Sequence, residues 1–528
     1  VREWFADQNK AVLNQSFQEN SHATKGVVSR IGAARERGGA ARCVVIVFFA
    51  LFMVWTDTAM SEDADAALAS AAKLRDAGQF KEAADSYNAI SHSQAFNEAQ
   101  RRQAAVQRDM LKRIREDYSL SQSELFEKLT KSVKGLTREE FGKWVAENRF
   151  DELKIDGTNY FLGVSVANLF FRHPDLNARR INGKDTLGEQ RGRLEVARAI
   201  KKAALAQHSP YVLPHRFRCT MTVTADKDAA PDGETIRAWL PVPRLYPFQN
   251  DFKLLTSSPP AKSTASETSP IRAVYMEEAA KAGQPTRFEI AYTYTASGVH
   301  FALDPTTVGA IDASDPTLKP FLKEAPHVVF TPQIKALAAE IAGNQSNPML
   351  VARSFYEWIA GNIQYSFARE YSTLTNISDY CLGHRYGDCG QEALLFITLC
   401  RSRGIPARWQ TGWNTFPGAK DIHDWTEIYL PPYGWVPVDP WAGIYATQYC
   451  PSLTDAEREE LRSFYFGGLD YYRMAANGDH SQTLDPPKNT VRSDDVDFQR
   501  GELEWRGGNI YFDRYSYEWT AEELIDSP

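Results

Sequence analysis

The chain has 528 residues, 43% of them apolar and 24% charged, with a formal net charge of −7. Those ordinary fractions exclude wholesale disorder and a polytopic membrane protein, and the mild acidic excess offers no concentrated basic surface for nucleic acid. At about 150 residues per domain the length points to roughly three or four domains, and six cysteines in so long a chain do not make a small disulfide-framed fold.

The segment Cys43 to Trp55 reads CVVIVFFALFMVW, an unbroken apolar run. Arg30, Arg35, Arg37 and Arg42 precede it, and Thr56-Asp57-Thr58-Ala59 follows. A basic flank, a short apolar run and a small polar exit resemble a secretory signal peptide, and the run falls short of the ~20 residues of a membrane-spanning helix. Residues 1–60 are therefore expected to be a leader cleaved near Ala59, placing the mature protein outside the cytoplasm with no stable membrane span. The polar preface and the opening valine suggest a true start near Val27 or Val28.

Residues 61–210 read as a helical region. Its first part is rich in Ala, Gln, Glu and Arg and free of proline up to about Arg115, a helix-favouring composition. Leu74, Gly78, Phe80, Ala83 and Tyr87 resemble half of one tetratricopeptide unit, but no second copy follows 34 residues on, so a single helical hairpin is expected. Further along, Asp156-Gly157 between Leu153-Lys154-Ile155 and Tyr160-Phe161 predicts a tight β-hairpin. Helices followed by this hairpin form a wing-like module, and without a basic cluster it reads as a packing or spacer unit, not a DNA reader.

Over 211–303 the period changes to two, as in Arg216–Val223, Thr235–Leu240 and Arg287–Tyr294. The pattern predicts an antiparallel β-sandwich, with Cys219 buried in a strand and the Ser/Pro/Thr-rich stretch Thr256–Pro270 a mobile loop. Over 325–450 a further, helix-rich domain is expected, in which Val351, Phe355, Trp358 and Ile359 share one helical face and form core. Residues 451–528 form an aromatic-rich extension. Its Trp505, Tyr511, Phe512, Tyr515, Tyr517 and Trp519 suit packing over that domain better than lining a glycan or peptide groove.

Chemistry concentrates in the 325–450 domain. Gly387 and Gly390 bracket Cys389, and the run Ala393–Cys400 predicts a buried helix that starts at the cysteine. Free N–H groups and the positive dipole end at such a start favour thiolate over thiol. Cys400, farther along the helix, reads as core. His423–Leu430 and Trp435–Asp439, joined by Pro431-Pro432-Tyr433-Gly434, predict a hairpin that returns Asp439 towards His423. Nucleophilic catalysis needs an imidazole in reach of the thiol and a carboxylate to hold the imidazole tautomer.

In order, Gly-x-Cys-x-x-x-Ala, Gly404-Ile405-Pro406-Ala407-Arg408, His-x-Trp-x-Glu and Gly-Trp-x-Pro-x-Asp-Pro resemble the core of the transglutaminase-like superfamily, over about Asn347 to Gly443. The resemblance implies an α+β multidomain protein whose papain-like core follows a helical region and an antiparallel β-sandwich. It implies Cys389 as nucleophile, His423 as general base and then acid, and Asp439 as the partner orienting the imidazole. The cysteine would attack a glutamine-like amide or a peptide bond, and a thioester would pass its acyl group to an amine or to water. The wider layout resembles bacterial exported transglutaminase-domain proteins.

In transglutaminases a second oxyanion donor comes from an upstream aromatic or amide side chain, for which Tyr371, Gln364 and Tyr386 are the candidates beside the Cys389 backbone N–H. No cofactor is expected. The spacing of Cys381, His384, Cys389 and His423 does not suit zinc, and an exported chain has the option of pairing Cys381 with Cys450. The expected partner is a protein or peptide substrate, a cell-envelope polymer among them, with no nucleic acid. Two other readings compete: a peptidase or amidase that only hydrolyses, and a surface-binding protein using the sandwich and helical modules around an inactive core.

Overall fold

The computed structural model describes residues 65–181, 183 and 186–524, so the apolar segment Cys43–Trp55 lies outside the described residues. Among those residues no helix is long and apolar enough to cross a membrane. The chain divides into two units, one of residues 1–74 with 82–106 and the other of residues 75–81 with 107–528. The described part of the smaller unit is helical, as its alanine-rich, proline-free sequence favours, and its buried positions include Leu68, Ala71, Ala83, Tyr87 and Ile90.

In the larger unit a helical module comes first. Ser121 starts the helix Gln122–Thr130 through a reciprocal capping box with Glu124, and Thr137 caps Arg138–Ala146. Strands β1 (Glu152–Ile155) and β2 (Thr158–Phe161) form the expected hairpin. Asp156 and Gly157 both take positive φ, 48° and 84°, as a two-residue turn of this hand requires. Leu125, Leu129, Phe141, Trp144, Phe161 and Phe170 belong to the module's core.

Two antiparallel sheets then make a sandwich. The first has the order β14 (Gly468–Leu469), β8 (Thr286–His300), β3 (Tyr211–Ala225), β18 (Tyr515–Leu524), with β5 (Gln249–Ser258) also on β8. The second runs β17 (Gly508–Ile510), β16 (Glu502–Trp505), β4 (Thr235–Pro241), β7 (Ala273–Ala279), β6 (Ser263–Thr264). Their facing side chains, Phe217, Met221, Leu240, Met276, Phe288 and Leu503 among them, share one core, and Cys219 is buried in β3. Of the stretch expected as a mobile loop, Thr256–Pro270, the first three residues end β5 and two more form β6, and the remainder lies outside the strands. Its polar composition is that of a sheet edge, where most side chains of β5 are exposed.

The third layer system holds the sequence motifs. A four-stranded antiparallel sheet has the order β13 (Gly434–Val438), β12 (Asp421–Leu430), β11 (Ala407–Asn414), β15 (Arg473–Asn477). The helices Pro332–Ala342, Pro348–Asn362, Cys389–Ser402 and Pro440–Gln448 share its core. Residues 451–524 supply strands to both sandwich sheets and to this one. Trp519 of β18 stacks on Trp413 of β11 at 4.6 Å and donates through Nε1 to Tyr292 Oη of β8, so the aromatic tail is packed. All five described cysteines are free, Cys381 and Cys450 included. The pairing open to these two is not formed, and each is buried in a different core cluster.

Candidate active site

Cys389 is the first residue of the helix Cys389–Ser402. Asp388 caps that helix, accepting from the Gln391 N–H at 3.1 Å while the Gln391 side chain accepts from the Asp388 N–H. Two short parallel strands, β9 (Gln364–Tyr365) and β10 (Tyr386–Gly387), lead into this start. Glycine is required next to Cys389: a Cβ on Gly390 would run into Tyr371 Oη, Asp424 Oδ2 and the Trp409 ring. The helix start alone does not leave a thiolate here. Burial pushes the Cys389 thiol up, and the charges of Asp424, Asp388 and Glu392 push it the same way.

His423 opens the buried part of β12 and is 4% exposed. Its Nε2 lies 2.8 Å from Asp439 Oδ2, and its ring meets Trp441 edge-on at 4.9 Å. Asp439 is completely buried and caps the helix Pro440–Gln448, its Oδ1 accepting from the Ala442 N–H at 3.0 Å. Oδ2 also lies 2.9 Å from Arg473 Nη1. Burial alone would raise this carboxyl, but His423 and Arg473 hold it down to about 2. The imidazole is pushed down by burial against the opposing pull of Asp439, so it is neutral and able to accept a proton at neutral pH. With Nε2 engaged by Asp439, Nδ1 is the nitrogen left for a thiol proton.

The structure thus joins His423 to Asp439, as the hairpin predicted. The Cys389 thiol donates elsewhere, to Asp424 Oδ2 at 3.5 Å, and among the described residues no hydrogen bond links it to His423. Of the upstream side chains, Tyr371 is the one at the helix start, its hydroxyl donating to Asp388 Oδ1. Tyr386 donates to Asp151 and Gln364 to the Arg172 carbonyl at 3.3 Å, both engaged by the helical module. Tyr365 was not singled out by the sequence. Burial and then the charge of Cys389 dominate its phenol, which is pushed well up. The signal available was its place beside Gln364 in a strand that pairs with Tyr386-Gly387.

Two further residues escaped the sequence reading. Arg473 bridges Asp439 and Asp470, with Asp470 Oδ2 2.9 Å from Nη2. Gln499 donates through Nε2 to Asp424 Oδ1 at 2.8 Å and to the His423 carbonyl at 3.1 Å. Both come from the C-terminal segment, where no local pattern marks them. The motif glutamate, by contrast, has a structural reason: Glu427 pairs with Arg408, its register partner across β11 and β12, at 2.6 Å.

Residues 335–440 match the family model of the transglutaminase-like superfamily. The uncharacterized protein YebA of Bacillus subtilis is 23% identical over 131 residues, 21% of this chain and 18% of that protein. An uncharacterized protein of Haemophilus influenzae is 26% identical over 220 residues, 34% of this chain and 58% of that protein. The chain therefore spans less than two thirds of the length of either relative. A crystal structure of a candidate cysteine protease from Cytophaga hutchinsonii aligns with a TM-score of 0.39 at 17% identity, covering 60% of this chain and 93% of that one. Residues 335–440 are a transglutaminase-like superfamily core, set in a chain of mixed helices and antiparallel sheets.

Proposed function

We propose that the chain is an exported, cysteine-dependent acyl-transfer enzyme that acts on glutamine-like amides or peptide bonds. The observation that carries this reading is the buried His423–Asp439 pair, 2.8 Å apart, in one domain with a cysteine at a capped helix start. Cys389 passes its proton to His423 Nδ1 and attacks the carbonyl carbon. Asp439, kept ionised, stabilises the imidazolium and fixes its orientation. The Cys389 backbone N–H is one donor for the oxyanion, and the Tyr371 hydroxyl becomes a second when it turns from Asp388, each worth about 10²–10³ in rate. Imidazolium then protonates the leaving nitrogen, and the thioester acylates an amine or water that His423 deprotonates.

Export rests on the leader-like run Cys43–Trp55, and the expected substrate is a protein, a peptide or a cell-envelope polymer. The test compares wild type with Cys389→Ala for ammonia release and amine incorporation from glutamine-containing peptides. Wild type is expected to release ammonia, and the variant to lose at least about 10⁴-fold in kcat. Ammonia without amine incorporation assigns hydrolysis. Equal ammonia release from both proteins removes Cys389 from the chemistry.

A further inference from the structure

Asp424 follows the candidate base in sequence, yet its carboxyl is the group that touches the sulfur. Oδ2 lies 3.5 Å from Cys389 Sγ, and the residue is 2% exposed. The space it occupies is reserved, since only a glycine at 390 clears both Asp424 Oδ2 and Tyr371 Oη.

The orientation of its proton can be read from its neighbours. The His423 carbonyl can only accept, so the Gln499 atom 3.1 Å from it is the amide nitrogen. That nitrogen also faces Asp424 Oδ1 at 2.8 Å, which makes Oδ1 an acceptor. A proton on this carboxyl therefore sits on Oδ2, the oxygen against the sulfur.

The surroundings favour such a proton. From the Cys389 helix comes the charge of Asp388, which outweighs with burial the opposing hydrogen bonds of the thiol and of Thr411, opposite in register on β11, and Tyr371 lies across Gly390. From the C-terminal segment come Asp494 and Asp497, and the cation there, Arg500, is shared between Asp494 and Glu370. Burial, with the charges of Asp388 and Asp494, pushes the Asp424 carboxyl up to about 8.

We propose that Asp424 is a second catalytic carboxyl that gates the nucleophile, releasing it as the neutral acid and holding it as the carboxylate. As carboxylate, Oδ2 accepts the Sγ–H bond and keeps the proton on sulfur. As neutral acid, Oδ2–H donates to sulfur, and the thiol proton is free to move to His423 Nδ1. The resulting thiolate receives the Oδ2–H hydrogen bond, and the Asp424 proton stays where it is through acylation. The leaving nitrogen takes its proton from His423. The site then loses reactivity as pH rises through the Asp424 titration, the reverse of an ordinary thiol.

The proposal rests on Cys389 as the nucleophile and is tested without any acyl substrate. The full chain is alkylated with iodoacetamide from pH 5.5 to 9.5, and modification of Cys389 is timed by peptide mass mapping. Wild type is expected to peak near pH 7 and to fall by at least about threefold by pH 9.5. Asp424→Asn keeps Oδ1 for Gln499 and puts an N–H donor against sulfur. It is expected to stay within about threefold of wild type at pH 7 and to show no alkaline fall. Asp424→Ala loses the donor and is expected to react about tenfold more slowly at pH 7. Buried Cys400 on the same helix reports unfolding if it is labelled, and the isosteric asparagine variant then decides. An asparagine variant that keeps the wild-type alkaline fall overturns the proposal, as does a wild-type rate that climbs steadily to pH 9.5. A reactive Cys389 with the expected profile but no ammonia release leaves the gate standing and removes the amide chemistry.

Discussion

Arg473 is 0% exposed and sits between two carboxylates, Asp439 and Asp470, that are themselves buried. Removing one partner of such a group leaves uncompensated charge in a medium that solvates it poorly, a loss of about 3–5 kcal/mol. Arg473→Met is therefore expected to lower unfolding free energy by that order, measured from urea midpoints, with Arg473→Lys restoring part of it. Asp439 loses the cation that helps hold it ionised, so His423 should titrate in the wild-type range only in the lysine variant. A methionine variant with unchanged stability and unchanged His423 titration would show that the ion pair is incidental. The residues that sequence exposed, Cys389, His423 and Asp439, each sit inside a short motif. Arg473 and Gln499 act at the same place but belong to no local pattern, because their contacts are made only when the C-terminal segment folds back.

Elements explain which parts of the fold could be read in advance. The helix Cys389–Ser402 announces itself by the glycines around Cys389 and a continuous apolar run. The β12–β13 hairpin does so by a Pro-Pro-Tyr-Gly turn between β-rich segments. β15 is five residues, Arg-Met-Ala-Ala-Asn, all buried, too short for a period and defined only by its pairing with β11. The end of the edge strand β5 was hidden for the opposite reason, its polar Thr256–Ser258 imitating a loop. Gly412 shows how close the β11–β15 contact is: a Cβ there would overlap the Met474 carbonyl. Gly412 also opposes His423 in register. Gly412→Ala is therefore expected to push β15 away, costing about 1–3 kcal/mol as overpacking does, and to displace Arg473 with it. Stability and the Cys389 alkylation rate should fall together. If alanine there is neutral in both, the close approach does not hold the arginine in place.

Across the whole molecule, several buried titratable groups set a dependence on pH whose sign can be worked out. Burial raises Asp117 to about 7, Asp388 to about 6 and Asp424 to about 8. Each binds its proton more tightly folded than unfolded, so its stabilising effect is full below about pH 4 and is lost as pH rises to the folded value. Burial lowers His300 and His327 to about 4. These stay neutral in the fold while the unfolded chain takes up protons, so they add stability as pH rises from about 4 to 6.5. Asp439, held at about 2, loses its contribution only below about pH 4. Histidines and carboxyls thus oppose one another up to pH 6.5, and above it Asp117 and Asp424 still titrate, while Glu392 and Asp497, also pushed well up by burial, act in the same direction. Stability is therefore expected to fall between pH 6.5 and 8 by on the order of 2 kcal/mol, at about 1.4 kcal/mol per proton and pH unit. Urea midpoints at the two pH values measure it, and Asp424→Asn should flatten the slope. A midpoint that is level or higher at pH 8 would place Asp424 in the ionised state throughout. The same carboxyl would then hold the Cys389 proton at every working pH, so the pH dependence of stability and the reactivity of Cys389 test the same Asp424 titration.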